Sequence, residues 1–423
     1  MRILHIISNM KPSSGGPQEA VRMMLRSAPA GSASEVVTLD DPTADFLRNE
    51  PFTIHALGKW YRLTPWLRAN YSRFDGVVLH GMWETLSLSV LQAIAGQTPY
   101  VVYAHGMLDP YFKRAFPMKH LKKWLYWLPV QYWVMRRARR VVFTTDAERD
   151  LAAQSFWLHR WSAAVIALGA DAPPANLERC KEAFYHLCPA LVGPTTDLSF
   201  RPAHRSSIAM RSGETPVFAV ARAEGASSPQ TPTVSDRPHY LLFLGRIDRK
   251  KGCDLLLKSF IGLSKNDPSL HLVMAGPNST GLRTELEALA TRASINHRIH
   301  WPGMLQGHTK WGALAAADVF ILPSHQENFG IAIVEALACG TPVLLTHPIN
   351  IAADLAADGS ALVEDDTLAG VTRLLTRWLA LTPAERAVMR ECATASVAAR
   401  YDMRKNTQAL FDLFTPSHTE HSA

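Results

Sequence analysis

The chain has little cysteine: Cys180, Cys188, Cys253, Cys339 and Cys392 are five residues in 423. An odd number at scattered spacings leaves one thiol over in any disulfide scheme and fits no zinc pattern, so a reducing cytoplasmic setting is expected. Long hydrophobic runs are also missing. Nothing approaches the ~18 consecutive apolar residues of a spanning helix. The opening MRILHIISNM is a short apolar run followed by polar KPSSGG, without a small-residue cleavage site, and reads as a buried strand in place of a signal peptide. There is no G-x-G-x-x-G fingerprint, which argues against a dinucleotide oxidoreductase, and no repeat at solenoid spacing.

What is present describes a globular protein. Apolar residues make up 47% and charged residues 19%, enough to bury sizeable cores. The length exceeds one ordinary core and implies two domains of roughly 150 to 200 residues with a cleft between them. An excess of 44 Lys and Arg over 37 Asp and Glu, a net charge of +7, favours anionic partners.

Short β-branched runs alternate with helix-period stretches in two series. The first includes RILHIIS, GPQEAVRMML, SEVVTL, DGVVLH, TPYVVYAHG, a long basic helix, RRVVFTT and AAVIAL. The second includes YLLFLGR, CDLLLKSFIGL, LHLVMAGP, LRTELEALATRA, RIHWPG, KWGALAAAD, VFILPS, IAIVEALACG and PVLLT. Both rhythms read as βα units on a parallel sheet, so the fold class is α/β with two doubly wound domains. The expected division is an N-terminal domain over 1–192, a mobile linker or insertion rich in Pro, Ser, Thr and Gly over 193–238, and a C-terminal domain over 239–390. A C-terminal helix over 391–415, packing back on the first domain, and a disordered tail over 416–423 complete it.

The stretch SHQENFGIAIVEALACGTPV holds two glutamates on either side of a strand-to-helix boundary. Glu327 lies in the loop beyond a strand's carboxyl end, and Glu335 lies one turn into a helix that begins around Gly330 and closes at Gly340 and Pro342. Ligands of parallel sheets bind at that edge, where a helix N-terminus offers free N–H groups. Carboxylates accept hydrogen bonds from vicinal hydroxyls, so the pair suits a ligand with hydroxyls at both ends, such as a nucleotide sugar; spacing alone also fits two solvated acids. The segment resembles the S-x-x-E-x-F-G-x(4)-E-A-x-A-x-G-x-P-V signature of family 4 glycosyltransferases. That resemblance implies the GT-B fold, two Rossmann-like domains facing across a cleft, and transfer with retained anomeric configuration. It also implies that Glu327, followed by Asn328, Phe329 and Gly330, holds hydroxyls of the transferred sugar, and that Glu335 binds the ribose.

Three further segments fit the resemblance. YLLFLGRIDRKKG places Arg246 at a strand end and Lys250, Lys251 and Gly252 before a helix, where cations and a helix dipole suit a diphosphate. It looks like the family's G-R-x(4)-K-G segment, in which Arg246 and Lys251 would clamp the donor phosphates, leaving Lys250 as a solvated neighbour. Gly15 and Gly16, between a strand and a helix, resemble the family's glycine loop over the donor; an ordinary turn is the alternative. TPYVVYAHGMLDP puts His105 at a strand end, where similar HG segments place the histidine beside the donor sugar. Asp109 has an open role, and His80 in VVLHGMWE is a second-rank cleft residue. VIALGADAP departs from the family's usual V-I-P-N-G-V-D-like segment.

From Tyr111 to Arg140 there is no acidic residue, while Lys113, Arg114, Lys119, Lys122, Lys123, Arg136, Arg137, Arg139 and Arg140 interleave with aromatics. Leu121, Trp124, Leu125 and Leu128 follow helical spacing and are expected on a face buried on the sheet, with the lysines pointing elsewhere. The missing acids suit an anionic membrane surface, as for transferases with lipid-linked acceptors. A single-strand nucleic-acid site shares this composition, but the stacking modules are absent and no nucleic-acid partner is expected.

No D-x-D metal-diphosphate motif occurs, and the His and Cys spacings suggest no zinc, so no metal and no cofactor are expected, the nucleotide sugar being a co-substrate. The resulting expectation is a retaining, metal-independent hexosyltransferase acting on a saccharide or lipid-linked saccharide in polysaccharide or glycolipid assembly. It would be cytoplasmic and peripheral on the inner face of the cell membrane. The alternatives are a GT-B-fold nucleotide-sugar 2-epimerase and a catalytically silent nucleotide-sugar-binding scaffold.

Overall fold

A computed structural model describes residues 1–192, 238–278 and 280–415. The expected linker lies outside the described residues up to position 237, and so does the tail 416–423.

The βα rhythm resolves into two parallel sheets. The first joins β1 (Arg2–Ile6), β2 (Ala33–Thr38), β3 (Thr53–Ala56), β4 (Gly76–His80), β5 (Tyr100–Tyr103), β6 (Arg140–Phe143) and β7 (Ala163–Val165), in the order β3-β2-β1-β4-β5-β6-β7. The second joins β8 (His239–Leu244), β9 (Leu270–Ala275), β10 (Ile299–Gly303), β11 (Val319–Leu322), β12 (Val343–Thr346) and β13 (Ala361–Glu364), in the order β10-β9-β8-β11-β12-β13. These are two Rossmann-like layers. In each, the chain turns back at the first strand, so β1 lies between β2 and β4, and β8 between β9 and β11. A crevice opens at the carboxyl ends of the strands at such a switch point.

Central strands read as unbroken apolar runs because helices cover both faces: Val77, Val78, Leu79, Val343, Leu344 and Leu345 are all fully buried. The edge strands β3 and β13 were not among the expected elements. Each pairs with a neighbour strand along one edge only, and most of their residues are partly exposed.

Two helices cross between the halves. Although it precedes position 193, helix Leu177–Leu187 packs on helix Gly307–Ala316 beside the second sheet, and Gly312 permits it: a Cβ there would come within 1.9 Å of the Cys180 carbonyl oxygen. In return, the C-terminal segment expected as one helix is two, Pro383–Arg400 and Met403–Asp412. Asp402 caps the second, accepting from the Arg404 and Lys405 N–H groups, and Phe414 lies against Gly76 of β4.

The expected long basic helix is also interrupted. It runs as Tyr111–Ala115, Pro117–Tyr126, a wide π turn over Trp127–Gln131, and Tyr132–Arg137. Pro117 can only start a helix, and Pro129 lacks the N–H that a regular turn needs. The break re-aims the apolar stripe. Contrary to the expectation of a buried face, Leu121, Leu125 and Leu128 are 62%, 80% and 46% exposed. Trp124 instead stacks with Trp157 and meets Phe156 edge-on, while Lys123, expected to point away, lies over the Trp83 ring at 4.6 Å. Among the described residues no helix is long and apolar enough to cross a membrane.

Candidate active site

The carboxyl ends of both sheets enclose a cavity of about 540 Å³. From the first half come Gly15, Gly16 and His105; from the second come Gly245, Arg246, Lys251, Glu327, Asn328, Phe329 and Gly330. Residues dispersed over more than three hundred positions of sequence thus meet in one space.

Local geometry follows from residue type. Gly330, at φ +78, turns the chain from the β11 loop into helix Ile331–Ala338. The Glu327 backbone is fixed on both sides, its N–H donating to the Pro348 carbonyl and its own carbonyl accepting from the Asn350 N–H. Its carboxylate pairs with the Lys251 ammonium, both side chains being mostly buried. Arg246 makes no such pair among the described residues and is exposed at the cavity wall. Lys251 is held by the turn before helix Cys253–Leu263, where Gly252 has φ +68 and lies so close to the Pro323 carbonyl oxygen that a Cβ would sit 2.0 Å from it. Gly252→Ala should therefore cost roughly 3 kcal/mol or more, combining left-handed strain with a backbone clash. Urea unfolding measures it, and a loss below 1 kcal/mol would mean that the Gly252–Pro323 contact is loose.

The two halves are tied beside the cavity. Asn328 Nδ2 donates to Thr144 Oγ1 at 3.0 Å, and Gln326 Nε2 donates to Asp109 Oδ2 at 2.8 Å, which gives Asp109 a partner across the cleft. Asn328 also packs against Gly106, where a Cβ would come within 2.7 Å of it. Thr144 in turn donates to the buried Glu148, whose carboxylate also accepts the Thr144 and Gly106 N–H groups at 2.6 Å. Burial pushes the Glu148 carboxyl above its usual range, against these hydrogen bonds. Glu148 and Thr144 were not anticipated from sequence; TTDAE reads as an ordinary helix start, and Thr145 does cap the Glu148 N–H. The carboxylate, however, serves the His105–Gly106 turn. Lys250, expected as a merely solvated cation, lies over the Tyr111 and Phe112 rings of the first half at 5.3 and 5.1 Å.

Glu335 differs from the other expected residues. It does not line the cavity: its carboxylate is buried, and Oε1 accepts from Lys310 Nζ at 2.6 Å. Burial raises its pKa, with Lys310 opposing the rise. The cavity wall is one turn away, at Ile331 and Ala332 of the same helix.

Comparison with known proteins gives this geometry its family. Residues 227–395 match the model of "Glycosyl transferases group 1" and residues 15–173 that of a "Glycosyl transferase 4-like domain". The chain belongs to the group 1 glycosyl transferases. The two matches take in both halves and all the cavity residues named above. D-inositol 3-phosphate glycosyltransferase of Saccharomonospora viridis is 34% identical to this group 1 member over 41% of the chain and 42% of the relative. Its counterpart in Streptomyces griseus is 34% identical over 38% and 35%. The chain thus spans less than half the length of these curated relatives. Two solved structures are similar over nearly the whole chain. Anabaena Alr3699/HepE in complex with UDP and glucose has a TM-score of 0.69 and 17% identity, covering 97% of this chain and 98% of that one. Sucrose-phosphate synthase from Thermosynechococcus elongatus has a TM-score of 0.66 and 17% identity, covering 98% of each. At such identities the likeness establishes the GT-B fold alone.

Proposed function

We propose that this group 1 family member is a retaining glycosyltransferase that moves a hexosyl unit from a nucleoside-diphosphate sugar to a saccharide or lipid-linked saccharide, in polysaccharide or glycolipid assembly. The observation that carries the reading is the convergence of Glu327, Lys251, Arg246, His105 and the Gly15–Gly16 loop on one cavity between the sheets.

In this reading the diphosphate lies between Arg246 and Lys251, which offset the charge that builds on the departing nucleoside diphosphate without a metal ion. The glycine loop lets the donor approach the backbone. When phosphate takes Lys251, Glu327 is released to accept sugar hydroxyls, and the Lys251–Glu327 pair holds both groups in place until then. Glu335 lies behind the wall formed by Ile331 and Ala332, so it accepts the ribose hydroxyls through Oε2 only after that wall shifts on donor binding, while Lys310 holds Oε1. The acceptor hydroxyl attacks the anomeric carbon from the face of the leaving group. UDP is the first nucleotide to try, because the Anabaena structure contains it. The test is incubation with UDP, GDP and ADP sugars, following the first-formed anomer by proton NMR with and without EDTA. Release of sugar with the donor's configuration, unaffected by EDTA, supports the reading; inversion, a chelator-sensitive rate or a 2-epimer product contradicts it.

We further propose that the chain rests on an anionic membrane surface through the helices between Tyr111 and Arg137, from the cytoplasmic side. Met118, Leu121 and Leu125 expose large apolar surfaces beside basic residues in a stretch without acids, and Trp157, stacked on Trp124, adds to the exposed patch from outside that stretch. Sedimentation with vesicles should retain the protein on anionic but not on zwitterionic lipid, and L121E/L125E should weaken retention about tenfold or more. Equal binding of the variant would contradict this surface.

A further inference from the structure

The cavity has a buried polar train behind it. His5 on β1, His80 at the end of β4 and His105 just past β5 stand on three neighbouring strands. His5 pairs in register with Val78, two residues before His80, and His80 pairs with Tyr103, two residues before His105. Side chains two apart share a face, so this stagger lays the imidazoles along one diagonal toward the carboxyl edge. His5 Nδ1 is 2.9 Å from His80 Nε2, and His80 Nδ1 is 3.0 Å from His105 Nε2, with ring planes inclined by only 17° and 24°. The far nitrogen, His5 Nε2, is buried with no hydrogen-bond partner. The near one, His105 Nδ1, has no hydrogen-bond partner among the described residues, and His105 lines the cavity.

Counting hydrogens fixes what this train can be. Each N···N contact holds one hydrogen, and each neutral imidazole carries one. If His80 donated to both neighbours it would be a buried cation; if it accepted from both it would be an anion. Burial holds all three rings neutral, lowering His5 and His105 to about 4 and His80 well below its ordinary value. Two arrangements remain. In one, every ring carries its hydrogen on Nδ1 and donates toward the cavity, leaving only a lone pair at the buried end. In the other, every hydrogen sits on Nε2, and His5 Nε2–H becomes an orphaned buried donor, the rarer and costlier defect.

We propose that His5 and His80 are positioning residues that lock His105 as its Nδ1–H tautomer, so that it meets the sugar or the leaving oxygen of the donor as a hydrogen-bond donor and never as a base. This rests on the functional reading of the cavity given above. The turn carrying His105 is held to match: His105 has φ +48, outside the range most side chains adopt, and the Gly106 N–H that follows is bound by Glu148.

The test is a long-range proton–nitrogen correlation spectrum of the full chain labelled with 15N at histidine, near neutral pH, assigned with His5→Gln and His105→Gln. The expected result is a protonated Nδ1 and an unprotonated Nε2 at His105; a hydrogen on Nε2, or a mixture of tautomers, overturns the proposal. His80→Phe keeps a ring beside Tyr103 and removes the relay. It should turn His105 into a mixture and lower kcat for donor hydrolysis about ten- to a hundredfold with little change in KM. His80→Gln, whose amide can both accept and donate, should restore part of that rate. An unchanged kcat in His80→Phe contradicts the proposal, and if that variant does not fold, the unmodified protein's spectrum decides. Failure of the functional reading is seen separately, as absence of turnover by the unmodified protein.

Discussion

Replacing Glu327 by Ala should lower sugar release from the correct donor by two to three orders of magnitude, about 3 to 4 kcal/mol of transition-state stabilisation. The fall should lie in kcat, because the carboxylate grips hydroxyls of the reacting sugar while Arg246 and Lys251 still hold the diphosphate. The variant should fold, since the loop is fixed through the Glu327 backbone, with Pro348 and Asn350 as partners. The freed Lys251 is 15% exposed at the cavity wall and can be solvated there. Glu327→Gln separates two roles. A positioning group keeps a measurable rate as an amide, because the amide oxygen still accepts a hydroxyl hydrogen. A covalent nucleophile does not, so equal loss in Gln and Ala variants would assign Glu327 to bond formation.

The second large effect is on stability. Lys310→Met should destabilise the fold by about 3 to 5 kcal/mol, because it strands the buried Glu335 carboxylate without its cation. The pH dependence has a defined sign. Burial already raises Glu335 above its ordinary 4.5, and removing Lys310 raises it further. The folded variant then binds more protons than the unfolded chain above that value, so stability falls as pH rises and the deficit shrinks toward acid pH. Urea unfolding near pH 5.5 and pH 8 checks this, and a pH-independent deficit would contradict it. Replacing both partners with apolar residues, as in K310M/E335L, should recover most of the stability. If Glu335 also holds ribose, that stable double variant still fails to bind the nucleotide.

Much of the fold is legible in the sequence because central parallel strands and their helices carry strong periodic signals. The strands β3 and β13 are not: each is four residues long and mostly half-exposed, too short to show a clear period. Nor was the aim of Leu121 and Leu125: periodicity finds a stripe, but Pro117 and Pro129 decide which way it faces. The crossing of helix Leu177–Leu187 to the second half depends on the close approach at Gly312, a three-dimensional fact with no local signature.

At the site, Glu327, Lys251, Arg246 and the glycine loop stand out because short motifs place them at strand ends. His5 could have been noticed as a histidine within an apolar strand, beside HG pairs at the ends of two other strands, but its link to His105 needs the strand order 1-4-5. Glu148 was hidden by a more ordinary role, since a glutamate three residues after a threonine reads as a helix start.

The central claim is that an activated sugar spans the cavity between the sheets. A crystal structure of the protein grown with a nucleoside-diphosphate sugar tests it most directly. The account predicts the diphosphate between Arg246 and Lys251, the glycosyl hydroxyls on Glu327 with its Lys251 pair opened, and His105 Nδ1 facing the sugar. A donor bound elsewhere, or one seated in the cavity with the Lys251–Glu327 pair intact and neither group touching it, would contradict it.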